Sequence, residues 1–191
     1  MDMLVIEPQF FIFCAVLVMV LPLPWLLSAI FAAMIHEFWH IAAVLVMGGR
    51  ITKVRVAAGG AQIEAHLAGK AAQAVAVLAG PVGSLMLLFL CHAVPGIALC
   101  GLAQGVYNLL PLPSLDGGRA LRLFLSGICP GKAEIICTGA EILCTSLLLA
   151  AAFWYMKALS LGFWPIMAAL VPVSGLFRRK IPCKRRKIGV Q

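Results

Sequence analysis

Charge is what this sequence lacks most. Only 12% of its residues are charged, against 63% hydrophobic, where a soluble domain carries about 25% charged. That excludes the soluble globular class. Basic residues are also missing from the start of the chain, which carries Asp2 and Glu7, so no cleavable signal peptide is expected. The seven cysteines include no CxxC pair. Cys14, Cys137 and Cys144 fall within apolar runs and are expected as small core residues. Histidine is scarce, with four in the chain. No repeat, low-complexity stretch or appended soluble domain is apparent. The net charge of +8 does not point to nucleic acid, because the basic residues sit at the ends of apolar runs and act as orientation signals.

What is present is a series of apolar runs. The first ends at Pro22 and Pro24; its uninterrupted part, 10–21, is short for a full span. The second covers 25–47 and stops at Gly48-Gly49. Further spans are expected at 72–90, 97–110, 133–156 and 161–176. The fourth breaks at Pro111 and Pro113. Between the second and third, Arg50 to Val56 alternates and is rich in β-branched residues, and a second short strand follows Gly59-Gly60. This predicts a β-hairpin at the membrane surface. The expected fold is a polytopic α-helical membrane protein of about six transmembrane helices with that hairpin between the second and third. Residues 1–177 form one core and 178–191 a basic tail that binds lipid headgroups. With the N-terminus in the cytoplasm, every Lys and Arg except Lys157 falls on the cytoplasmic side, which sets a cytoplasmic C-terminus.

Within the second run, His36-Glu37-Phe38-Trp39-His40 holds all of its ionisable residues. Residues four apart share a helix face. His36 and His40 can therefore present two imidazoles to one metal ion, with Glu37 beside them as a base. Ionisable groups within a span are expensive, so function is the default. The bland alternative is a polar cluster that glues helices together; it leaves the spacing unexplained. A hydrolytic zinc site needs a third protein ligand. His66 belongs to the surface hairpin and His92 to the far end of the third span, so both are expected as ordinary polar residues. Asp116 is the better candidate, since it follows a broken helix whose backbone must line a cavity or be buried. Its plain alternative is a turn residue before Gly117-Gly118, two glycines expected in conformations closed to other residues. Glu141, deep in the fifth span, is either a cavity-lining acid or a carboxyl bonded to neighbouring helices.

The segment from Asn108 to Gly118, NLLPLPSLDGG, resembles the NxxPxPxxDGG motif of site-2 proteases and follows an intramembrane HExxH in the expected order. Gly80-Pro81 also resembles a family feature, although Ser84 stands where asparagine is usual. Trp39 stands where the family has a small residue, so its indole is expected to alter packing or narrow access. Six spans and no PDZ domain look most like the group of the stage IV sporulation protease, without its CBS domain. The resemblance implies a zinc metalloendopeptidase of the bacterial cell membrane that cuts membrane-bound protein substrates, such as a sigma-factor or anti-sigma-factor precursor. His36, His40 and Asp116 would hold one zinc per chain. Glu37 would carry the proton to the leaving amine, and Asn108 would bond the oxyanion or steer the peptide. Val54, Val56, Pro111 and Pro113 are the expected substrate-binding positions, with the hairpin receiving an extended segment by strand addition. A regulatory membrane protein is a further expected partner. An inactive relative that binds membrane helices, or a metal transporter, would be the alternatives.

Overall fold

A computed structural model describes residues 4–57 and 60–159. The expected sixth span and the basic tail lie outside the described residues. The order is β1 (Leu4–Ile6), α1 (Pro8–Val20), α2 (Leu23–Val46), β2 (Arg50–Ala57), β3 (Gly60–His66), α3 (Lys70–Met86), a 3-10 turn (Leu87–Leu90), α4 (Pro95–Asn108), α5 (Asp116–Ile128) and α6 (Ala133–Leu159).

Prolines open three of these helices. Pro8, Pro24 and Pro95 stand in first turns, where a missing N–H leaves no helical bond unmade. Glycine closes α2. Gly48 takes φ +70°, and Gly49 N–H donates to the Val44 carbonyl at 2.8 Å, which satisfies an end carbonyl of the helix. Among the described residues, three helical segments are long and apolar enough to cross a membrane: Leu23–Val46, Lys70–Leu90 and Ala133–Ala158. The chain is a helical membrane protein. α1 and α4, with 13 and 14 residues, reach only about 20 Å each, short of a bilayer core of about 30 Å.

α3 is the hub, packing against α2, α4 and α5. Its buried residues are small: Ala76, Gly80, Pro81, Gly83 and Ser84. Small side chains let helix backbones approach closely in a membrane, where apolar burial does not separate protein from lipid. α2 buries Ala32, His36, His40 and Val44, a stripe with a spacing of four. Met34 and Phe38, on other faces of the helix, are exposed.

The structure corrects two expectations. First, Asp116, Gly117 and Gly118 do not form a turn but open helix α5, which runs to Ile128. Gly117 and Gly118 lie within that helix, so their role is not unusual backbone conformation. A Cβ on Gly117 would stand 2.1 Å from the Leu109 carbonyl oxygen, and one on Gly118 2.0 Å from that of Leu112. They are glycines because the proline-broken segment crosses directly over them. Leu112, between the two prolines, is fully buried, as irregular backbone at membrane depth requires.

Second, the hairpin is part of a three-stranded sheet ordered β1-β2-β3. β1 pairs with β2 in parallel, Leu4 opposite Val54 and Ile6 opposite Val56. β3 pairs on the other side, antiparallel, with Val54 opposite Ile63 and Val56 opposite Ala61. β2 is therefore central, and Val54 and Val56 cannot receive a substrate strand. The Glu7 N–H donates to the Val56 carbonyl at 2.9 Å, so the Val56 backbone faces β1, and Val54 does likewise by the two-residue alternation. By the same alternation the backbone groups of Ala61 and Ile63 face away from β2, toward the outer edge of β3.

Candidate metal centre

Two helices meet to form the site. His36 and His40, one turn apart on α2, point toward α3 and the start of α5, and both are buried. Asp116, in the first turn of α5, is 7% exposed. One oxygen, Oδ2, lies 3.0 Å from His36 Nε2 and 3.1 Å from His40 Nε2, and the two nitrogens are 3.2 Å apart. The second carboxylate oxygen, Oδ1, lies 4.0 Å from Arg119 Nη1.

Three ligand-type atoms thus form a nearly equilateral triangle. A tetrahedral ion with bonds of about 2.0–2.1 Å needs neighbouring ligand atoms roughly 3.3–3.4 Å apart. The observed edges fall within a few tenths of an ångström of that. Hydrogen bonding on the far side of the rings supports the same use. His40 Nδ1 lies 2.8 Å from the Ala76 carbonyl oxygen, which can only accept, so Nδ1 carries the proton. In a neutral ring the Nε2 lone pair then faces a carboxylate oxygen. Lone pair against lone pair in a buried site is repulsive unless a cation sits between them. His36 Nδ1 has its own partner, Ser84 Oγ, at 2.8 Å. Among the described residues, His36, His40 and Asp116 are the group able to hold a metal ion.

α3 makes room for these rings. A Cβ on Gly80 would stand 2.2 Å from His40 Nε2, and one on Gly83 2.0 Å from Trp39 Cδ1. The bulky Trp39 is thereby seated in a notch on α3.

Glu37 is half-buried beside the histidines. A Cβ on Gly60, the first residue of β3, would stand 3.7 Å from Glu37 Oε1, so the sheet reaches the carboxylate. Asn108 closes α4, and its Nδ2 donates to the Gln104 carbonyl at 3.1 Å. Pro111 lines an open apolar groove between α3 and α5 of about 390 Å³, with Ala74, Leu78 and Phe124. Pro113 is half-buried outside that lining. His66 and His92 are exposed and away from the metal group. Glu141, 3% exposed, accepts from Arg122 Nη2 at 3.1 Å. It ties α6 to α5, so the structural alternative for that residue holds. Sequence reasoning gave no role at the site to Ala76 or Arg119, while the small residues from Gly80 to Ser84 implied close helix packing or a kink, and Gly83 does pack closely against Trp39. The spacing of Ala76, Gly80 and Ser84, four residues apart, was the available sign of a face that closes on α2.

Comparison with known proteins agrees with this architecture. The chain is similar over 98% of its length to the solved structure of the Site-2 Protease from Methanocaldococcus jannaschii, with a TM-score of 0.62, 19% identity and 93% of that chain covered. No family model and no curated protein matches the sequence. The likeness shows the fold: this chain is built as a site-2 protease is built.

Proposed function

We propose that the protein is a zinc-dependent intramembrane endopeptidase that hydrolyses peptide bonds of membrane-bound protein substrates. The observation that carries this is the triangle of His36, His40 and Asp116 with Glu37 on the same apolar helix. The N₂O donor set suits zinc. When bound, zinc supplies Lewis acidity that activates water at neutral pH. Glu37 takes the proton released from the attacking water and delivers it to the leaving amine. Asn108, at the end of α4 where the chain leaves helix, steers the peptide or bonds the developing oxyanion. The Ala76 carbonyl keeps the His40 ring turned so that its Nε2 faces Asp116.

A substrate helix must unwind before its peptide bonds can be attacked. The outer edge of β3 offers replacement hydrogen bonds, and it starts next to Glu37. In this reading the sheet and the C-terminus face the cytoplasm of a bacterial cell, and processing of a sigma-factor or anti-sigma-factor precursor is the matching physiological role. A transporter would not need Glu37 beside a fixed ligand set.

The test is Glu37→Gln. Purified protein should hold about one zinc per chain with or without the substitution. New peptide termini in the membrane fraction, counted by mass spectrometry, should appear with wild type and fall roughly 10²–10⁴-fold in the variant. Equal numbers of termini from both proteins would refute the protease reading.

Strand addition is tested at Ile63. Proline there removes an outward N–H while leaving the bonds between β2 and β3 intact. Ile63→Pro should lower cleavage about tenfold, the loss of one well-formed hydrogen bond, with zinc retained, and Ile63→Val should be near wild type. Wild-type cleavage by Ile63→Pro would show that substrate arrives by another surface.

A further inference from the structure

α3 contributes no ligand atom, yet it holds the outer nitrogen of both imidazoles. For His40 the partner is the backbone carbonyl of Ala76 at 2.8 Å. For His36 it is a side chain, the hydroxyl of Ser84, also at 2.8 Å and contributed from 48 residues away in sequence. Ser84 is completely buried, so water does not compete for that bond. We propose that Ser84 is the positioning residue of the metal centre: its Oγ accepts the His36 Nδ1–H and fixes the ring with Nε2 aimed at the ion.

The inference rests on the metal-centre reading and adds a device to it. A neutral imidazole has one ring proton. Beside the Asp116 carboxylate, that proton gains a hydrogen bond if it sits on Nε2, and His36 is then no ligand. An acceptor at Nδ1 holds the proton on the far side of the ring and leaves Nε2 free to bind. Partners of this kind orient a ligating histidine and raise its basicity. The competing explanation is size. Ser84 is completely buried in a row of small residues, Ala76, Gly80, Pro81 and Gly83, on a helix that packs against three others. A small side chain is needed there whatever its chemistry.

Alanine separates the two explanations, because it keeps the size and removes the oxygen. Metal-free protein in detergent is titrated with zinc against a chromophoric chelator, and separately with cobalt to record the visible ligand-field bands. Ser84→Ala should bind zinc roughly 10–100-fold more weakly, with weakened and shifted cobalt bands. Ser84→Cys, whose sulfur is a poorer acceptor, should fall between. Ser146→Ala, which loses an exposed hydroxyl on α6, should match wild type. Ser84→Ala and Ser84→Cys that both bind within about twofold of wild type, against the expected outer-shell effect, would overturn the proposal and leave size as the reason for serine. A wild-type protein that binds neither metal would overturn the metal centre itself, and the role of Ser84 with it.

Discussion

Asp116→Ala is expected to empty the metal centre. Without Oδ2 the histidines keep their geometry on α2, but two nitrogens do not complete a tetrahedral site that also needs an open position. Outer-shell partners alone are worth about 10–100-fold in affinity, so removal of a ligand should weaken binding by more than roughly 100-fold. His36→Ala and His40→Ala should do the same. His66→Ala and His92→Ala remove exposed rings outside the group and should leave zinc at one per chain. Metal analysis of purified variants decides this independently of any substrate. Full occupancy in Asp116→Ala would remove the carboxylate from the ligand set.

Gly118→Ala should have a comparable effect without touching a ligand. The added methyl would stand 2.0 Å from the Leu112 carbonyl oxygen, and that oxygen belongs to backbone with no slack. Either α5 or the proline-broken segment must move. Overpacking of this kind costs about 1–3 kcal/mol, and more where backbone must shift. Because Asp116 is two residues away, the movement should also displace Oδ2. Thermal stability and zinc occupancy should therefore fall together. Gly127 offers the control. It lies on the same helix, and a Cβ there meets nothing within 4 Å, so Gly127→Ala should be neutral or stabilising by up to about 1 kcal/mol. A Gly118→Ala protein with wild-type melting and full zinc would show that the close crossing is not a constraint.

Much of the centre was legible because its chemistry is local. Two histidines and a glutamate in five residues of an apolar helix leave little else to propose. Asp116 is 80 residues from His36, and the motif around it supplied the link that spacing on one helix cannot. What escaped was non-local or disguised. Gly117-Gly118 looks like a turn, and that hid the start of α5. Ser126 also lies in α5, and its carbonyl accepts from Lys70 Nζ at 3.0 Å. β1 is three residues long, too short for alternation to register, yet it changes β2 from an edge to a central strand. The spacing of Ala76, Gly80 and Ser84 marks a face of α3 that packs closely, but that Ser84 meets the His36 ring depends on a contact between residues 48 apart.

The seating of Trp39 against Gly83 bears on what may vary in such a protein. On the proposed function, His36, Glu37 and His40 are held in place by their chemistry. The other two of these five positions are set by the neighbours they meet, and at position 39 that neighbour is α3. An indole is accommodated because the opposing helix gives up a side chain altogether. Positions 39 and 83 therefore share one allotment of volume, and whichever takes more leaves the other less. They should drift as a couple over evolutionary time, a large residue on one side matched by glycine on the other, while the histidines stay where they are.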